Sequence, residues 1–434
     1  MLEHLSPWRP TASLVRACSS VAVLGVLAVV AGRPDLLVLA APLLLHAVAA
    51  LARRPADEPL ATTTLGTGTL REGEGTTLAV ELSPAAAVEQ VLLAVRPHRW
   101  MAARPAGGVV ARHSPPRQDP ARAELSVVSL RWGRREMTDG LVGGLSPWAG
   151  FEWGPVAVPP RAVTTLPVPG PFDSRAASPH PIGLVGVDPA RRRGDGYEFE
   201  SIRPFRPGDR LRRVQWRVSL RSGSLHVTST QAEEDSSILL LVDSGIEVGV
   251  SGGVHGAPSS LDVAVRAAGA IAEHYLARGD RVGLRVLGST SRTVVPVSAG
   301  RLHQRRVLET LARVVPGENR DLDPERMRFD VRAGTVALVF SPMLSQVSVT
   351  ATTKLASRGL DVVVVDSLPE DVDLGRGDPH LRTAWRMRLL ERRALLERAE
   401  RHGIPVVRWR GPGTLDEVLR RLRRRAATPV VGRR

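Results

Sequence analysis

The chain of 434 residues has one cysteine, Cys18, so it can form no internal disulfide and no cysteine-based metal cluster. Lysine is as scarce: Lys354 stands alone, and the formal charge of +15 is carried almost wholly by arginine. Those arginines are scattered among abundant Ala, Gly, Val and Pro, as GC-rich coding produces. No stripe interleaves them with aromatic residues, so nucleic acid is not an expected partner. The eleven histidines show no metal-binding spacing. Acid/base pairs, a cofactor fingerprint and internal repeats are missing as well. "GDG" at 194–196 lacks the Lys and Ser/Thr of a phosphate loop. "GVSGG" at 249–253 matches G-x-S-x-G, but a nucleophile elbow runs directly from strand to helix, and Ser251 stands in a glycine-rich loop remote from both. The chain is therefore expected not to be an enzyme.

Long apolar runs are present at one end only. Residues 17–32 and 36–52 are apolar, separated by "RPD", and each falls slightly short of the roughly 20 residues that span a bilayer. Arg16 and Arg53 extend them by snorkelling. Arg9, Arg16, Arg53 and Arg54 flank the open end, whereas Arg33 in the connecting turn is balanced by Asp35; the positive-inside rule then places both termini in the cytoplasm. A cleavable signal peptide, with Val29 and Ala31 at the small-residue positions, is the main competitor. The expectation is a two-helix hairpin in the inner (plasma) membrane, with the lipid bilayer as a partner and the soluble domains cytoplasmic. The basic tail, "RRLRRRAATPVVGRR", reads as a helix end that is either solvated or in contact with anionic headgroups.

After the linker "ARRPADEP" (52–59) the period changes to two: Leu78, Val80, Leu82, then Val91, Leu93, Val95, with Gly and Pro between the runs. This predicts a small β-sandwich over 60–169, with 114–122 as a loop. From 237 to 434 strands alternate with helices. The strands fall at 238–242, 281–288, 335–341, 360–367 and 404–409; the helices at 259–278, around 307–315, 347–357, 381–402 and from 415 onward. Such βα units predict an α/β fold, a doubly wound parallel sheet. Its first strand ends in Asp243. Asp-x-Ser-x-Ser at that place holds Mg²⁺ in von Willebrand factor A-type domains, because one carboxylate and two hydroxyls suit a hard cation. Here Gly245 and Glu247 replace the serines, and the later strand end at Ser341 and Pro342 offers no acid. Asp243 and Glu247 are thus the remnants of a degenerate metal site, expected to be without a bound cation.

Residues 170–236 link the two domains, and aromatics, only 4% of the chain, gather there. Glu198, Arg203, Asp209, Arg212, Arg217 and Arg221 are interleaved with Phe199, Phe205 and Trp216, which predicts a clasp of paired charges around apolar anchors, with Asp209 on Arg212 or Arg221. The succession Gly194, Gly196, Glu198, Phe199, Arg203, Gly208, Asp209, Arg212, Trp216, Ser219 and Arg221 resembles the signature of the bacterial family called domain of unknown function 58. So does the wider order of hairpin, β-rich segment, motif and α/β domain. The chain departs from that family at Pro204, Phe205 and Gln215. The resemblance implies a von Willebrand A-like domain and a membrane-attached scaffold or adaptor working with a MoxR-type AAA+ ATPase in assembling or maturing client proteins, without a cofactor. An α/β hydrolase and a binder of lipid or cell-wall precursors are the alternatives.

Overall fold

The computed structural model describes residues 7–115, 119–137, 139–168, 199–205, 214–230, 237–288, 293–317, 335–372, 379–410 and 414. They form two compact units, Met1–Pro167 with Gly253–His255, and Val168–Gly252 with Gly256–Arg434.

The first unit opens with β1 (Arg9–Pro10), then α1 (Ala12–Val30) and α2 (Asp35–Ala52). Both helices are long and apolar enough to cross a membrane, each with a mean hydropathy of 2.1. They pack antiparallel on a seam of small residues, Ala17, Ala28, Ala40 and Ala47, while Val29 and Val38 remain 83% and 75% exposed. A soluble helix pair would hide that surface; small-residue seams with apolar outer faces suit a lipid surround. At the turn, Arg33 pairs with Asp35 at 2.7 Å.

The strands that follow are β2 (Leu60–Leu65), β3 (Thr69–Arg71), β4 (Gly75–Ser83), β5 (Gln90–Val95), β6 (Met101–Arg104), β7 (Val109–His113), β8 (Ala121–Ser129), β9 (Gly133–Met137), β10 (Gly140–Leu145), β11 (Phe151–Ala157) and β12 (Arg161–Leu166). They make sheets ordered β1-β11-β10-β5-β7 and β2-β4-β8-β6, with a smaller β3-β12-β9. Period two decides what is buried: Ala121, Ala123, Leu125 and Val127 of β8 meet Leu78, Val80 and Leu82 of β4 and Val91, Leu93 and Val95 of β5 in one core, closed by Trp153. This is the sandwich that the alternation predicted. Strand β1 is an addition to the expected order. It lies before the hairpin and pairs with β11, Arg9 opposite Glu152, so the chain enters α1 from the edge of the sandwich.

The second unit contains β13 (Phe199–Pro204), α3 (Trp216–Ser222) and β14 (His226–Thr230), then β15 (Ser237–Asp243), α4 (Ser260–Ala277), β16 (Arg281–Leu287), β17 (Val294–Ser298), α5 (Arg301–Leu311), β18 (Val336–Ser341), α6 (Gln346–Ser357), β19 (Asp361–Asp366), α7 (Pro379–Arg401) and β20 (Val406–Arg408). The sheet order is β17-β16-β15-β18-β19-β20, parallel except for β17. This confirms the doubly wound α/β fold, and the winding reverses beside β15. Helix α4 starts at a capping box, Ser259 with Asp262, and its Ala264, Ala267, Ala268 and Ala272 let it lie close on the sheet. On the other face, Leu239, Leu241, Val339 and Val364 pack under Val349 and Leu355 of α6 and Ala399 of α7. Strand β17 adds to the expected series; its alternation is too brief to mark it in the sequence. The helix expected near 307–315 starts earlier, at Arg301, after Gly300 at φ +96°. The helix expected from Leu415 lies outside the described residues.

Asp361 opens β19, and burial raises its carboxyl pKa above the usual aspartate value. A raised native pKa means that the ionised form is disfavoured by folding: the penalty is absent at low pH and present once pH exceeds the raised value. Asp361→Asn is expected to melt at a higher temperature than wild type at neutral pH, with the gap closing as pH falls to about 4. Melting curves across pH check this.

Candidate functional site

In a doubly wound sheet the crevice at the reversal point, beyond the carboxyl ends of the strands, is where side chains from different elements converge. Here β15 and β18 end side by side in Asp243 and Ser341. Asp243 is buried. Its Oδ1 accepts the backbone N–H of Gly245 at 3.0 Å, and its Oδ2 accepts the hydroxyls of Ser341 at 2.7 Å and Ser348 at 2.5 Å. Ser341 Oγ in turn accepts the N–H of Met343 at 2.9 Å, which holds Met343 at φ +52°. Ser348 comes from the first turn of α6. No local pattern marks it, since only the topology brings that turn beside β15.

Glu247 does not join this cluster through any hydrogen bond described. It accepts the hydroxyl of Ser259 at 2.5 Å, which ties the loop after β15 to the cap of α4. Ser341 and Ser348 set two hydroxyls beside the Asp243 carboxylate, the donor types a hard cation takes, but both hydroxyls are turned onto its Oδ2. Three hydrogen-bond donors already point at the one buried carboxylate, and among the described residues no three His, Cys, Asp or Glu side chains stand together where a metal could be held. Ser251 lies in the loop between β15 and α4, not on a strand-to-helix turn.

A second charge closes the same edge. Arg392 of α7 meets Asp366, the last residue of β19, at 2.5 Å, with both side chains only 11% exposed, and its Nε donates to the carbonyl of Pro342 at 2.7 Å. Arg388 donates to the carbonyl of Leu344 at 2.7 Å. Helix α7 is thereby strapped over the loop after β18.

The signature segment folds as an antiparallel pair with α3 between its strands. Arg203 lies opposite Val227 in the β13–β14 pair, and Phe199 lies opposite Thr230. Ser219 is the pin: its hydroxyl donates to the carbonyl of Gln215 at 2.9 Å and accepts the N–H of His226 at 2.9 Å, holding α3 on β14. Gly223 ends the helix at φ +66°, the left-handed position that favours glycine. Trp216 corrects an expectation. It is 61% exposed, with Leu220 one turn on at 82%, so it is no buried anchor; the helix as pinned by Ser219 leaves both outside. Arg221 is exposed at the end of α3. Gly194, Gly196, Glu198, Gly208, Asp209 and Arg212 lie outside the described residues, and with them the expected pairing of Asp209.

Residues 201–386 match the family model described as "Protein of unknown function DUF58". This stretch is a DUF58 region. It runs from β13 into α7 and so includes α3 and the Asp243 cluster. Uncharacterized proteins of Mycobacterium bovis and Mycobacterium tuberculosis are 28% identical to the chain over 189 residues, 42% of it and 58% of each relative, so the chain spans a little under three fifths of the length of the curated relatives it matches. Among solved structures, the cupredoxin domain of amoB from Nitrosocaldus yellowstonii matches with 9% identity and a TM-score of 0.15, over 24% of this chain and 86% of that domain, a likeness too slight to bear on fold or function.

Removing the carboxylate of Asp243 strands two buried hydroxyls and one N–H. At roughly 1–3 kcal/mol for a buried group left unsatisfied, Asp243→Ala is expected to destabilise the DUF58 region by about 3 kcal/mol, while millimolar Mg²⁺ leaves the wild-type melting temperature unchanged. Denaturant titration and melting with and without the ion measure both; a saturable stabilisation by Mg²⁺ that Asp243→Ala abolishes would restore the metal site.

Proposed function

We propose that the protein is a membrane-anchored, non-enzymatic scaffold whose DUF58 region, a von Willebrand A-like domain, docks a MoxR-type AAA+ ATPase and client proteins at the cytoplasmic face of the inner membrane. The observation that carries this reading is the exposed pair Trp216 and Leu220, held out on a helix that Ser219 fixes to β14. Rigid, exposed aromatic anchors flanked by arginine are what protein interfaces use as hot spots. Arg217 and Arg221 alternate with them on α3. The closed carboxyl edge agrees with a docking role: Asp243, Glu247 and Asp366 are engaged in holding elements together, and Ser251 lacks the setting of a nucleophile. The resemblance to the domain of unknown function 58 family supplies the class of partner.

For the cytoplasmic orientation, the support is the arginine asymmetry of the hairpin, four at its open end against one neutralised at its turn. A reporter fused after residue 60 is expected to be active only as a cytoplasmic enzyme; activity confined to the far side of the membrane would reverse the orientation.

Docking is tested with the solubilised full chain as bait and mass-spectrometric identification of an AAA+ ATPase in the captured material. Trp216→Ala is expected to shift stability by no more than about 0.5 kcal/mol, as at other exposed positions, and to reduce capture at least tenfold, since a hot spot is worth about 2 kcal/mol or more. A clear drop in melting temperature with capture retained would return Trp216 to a structural role and sink the docking face.

A further inference from the structure

The foot of the hairpin is built into the sandwich. Thr11 caps α1, accepting the N–H of Leu14 at 3.2 Å and donating to the carbonyl of Ala149 at 2.7 Å. Gly150 lies so close to Ala50 that a Cβ on it would come within 2.6 Å of the Ala50 methyl. Leu14, Ala47, Ala50 and Phe151 share one small core, and Trp8 donates through Nε1 to the carbonyl of Asp57 at 2.9 Å. Beside this joint an open cleft of about 420 Å³ runs from Arg54 along Leu14, Val15, Leu51 and Phe151 to Cys18.

Three features say what fills it. Helix α1 has 19 residues, about 28 Å at about 1.5 Å each, nearly the thickness of a bilayer's hydrocarbon core, so its first turn sits where headgroups meet acyl chains. Trp8 precedes α1 by four residues and the 50% exposed Trp148 adjoins Ala149, whose carbonyl Thr11 bonds, so both lie beside that first turn, at the depth tryptophan prefers. Arg9, Arg16, Arg53 and Arg54 take part in no ion pair among the described residues, unlike Arg33 at the far turn. An apolar slot with an unneutralised guanidinium at its headgroup end is complementary to a negatively charged amphiphile.

We propose that this cleft is a binding site for an anionic phospholipid of the surrounding bilayer, its phosphate on Arg54 and one acyl chain along Leu14, Val15, Leu51 and Phe151. This rests on the reading of α1 and α2 as membrane-spanning. Cys18, the chain's sole cysteine, lines the cleft and reports on it without competing thiols. The full chain is reconstituted into phosphatidylcholine vesicles with and without phosphatidylglycerol, and alkylation of Cys18 by N-ethylmaleimide is timed. Phosphatidylglycerol is expected to slow alkylation several-fold; Arg54→Gln loses that protection, and Arg53→Gln, altering a residue outside the cleft lining, keeps it. Equal rates in the two membranes overturn the site. So does equal loss of protection in both variants, which would mark a diffuse surface-charge effect. If the protein fails to float with vesicles after an alkaline wash, the membrane-spanning reading falls, and the lipid site with it; a protein that floats but shows no protection refutes the lipid site alone.

Discussion

One buried carboxylate organises the α/β unit. Asp243 ends the central strand at the point where the winding reverses, and no single neighbour could satisfy it there. Three donors from three segments do: the loop after its own strand, the end of β18 and the first turn of α6. A buried charge without partners is costly, so the two halves of the sheet and the helix beyond must come together for any of them to be stable in this arrangement. Arg392 repeats the device one strand further out, where Asp366 and the carbonyl of Pro342 hold α7. At this edge, where open α/β sheets commonly bind ligands, these side chains join separate segments of the unit.

The second unit presents Trp216 and Leu220 on a short helix that cannot rotate inward, because Ser219 is bonded both to the helix and to β14. The first unit presents the foot of its hairpin, where strand β1, the cap at Thr11 and the contact of Gly150 with Ala50 leave little freedom between α1, α2 and the sandwich. Both surfaces are tied to their sheets by hydrogen bonds or close packing, which lowers the ordering cost of an apolar contact made there.

Much of this architecture was legible in advance because it follows from period and punctuation. The alternation Leu78, Val80, Leu82 can bury one side only as a strand, and the unbroken run Ile238–Val242 demands cover on both faces, as the helices on either side provide. Strand β17 and the early start of α5 were hidden by short or weakly patterned stretches, and β1 by having only two residues. Trp216 misled for a different reason. A large aromatic among charges reads as buried by composition, yet its exposure depends on how one serine three residues on is bonded to a strand ten residues away.

The sequence by itself determined the class of each segment, the apolar hairpin with its arginine asymmetry, and the family signature, because these depend on neighbours along the chain and on local periodicity. Tertiary structure alone decided that Ser341 and Ser348 would close around Asp243, that Glu247 would turn to Ser259 instead, and that Arg54 would stand at the mouth of an apolar cleft. Those pairings join residues from 12 to 105 positions apart, and no local rule of spacing encodes a contact that exists only once the sheet order and the helix placements have been fixed.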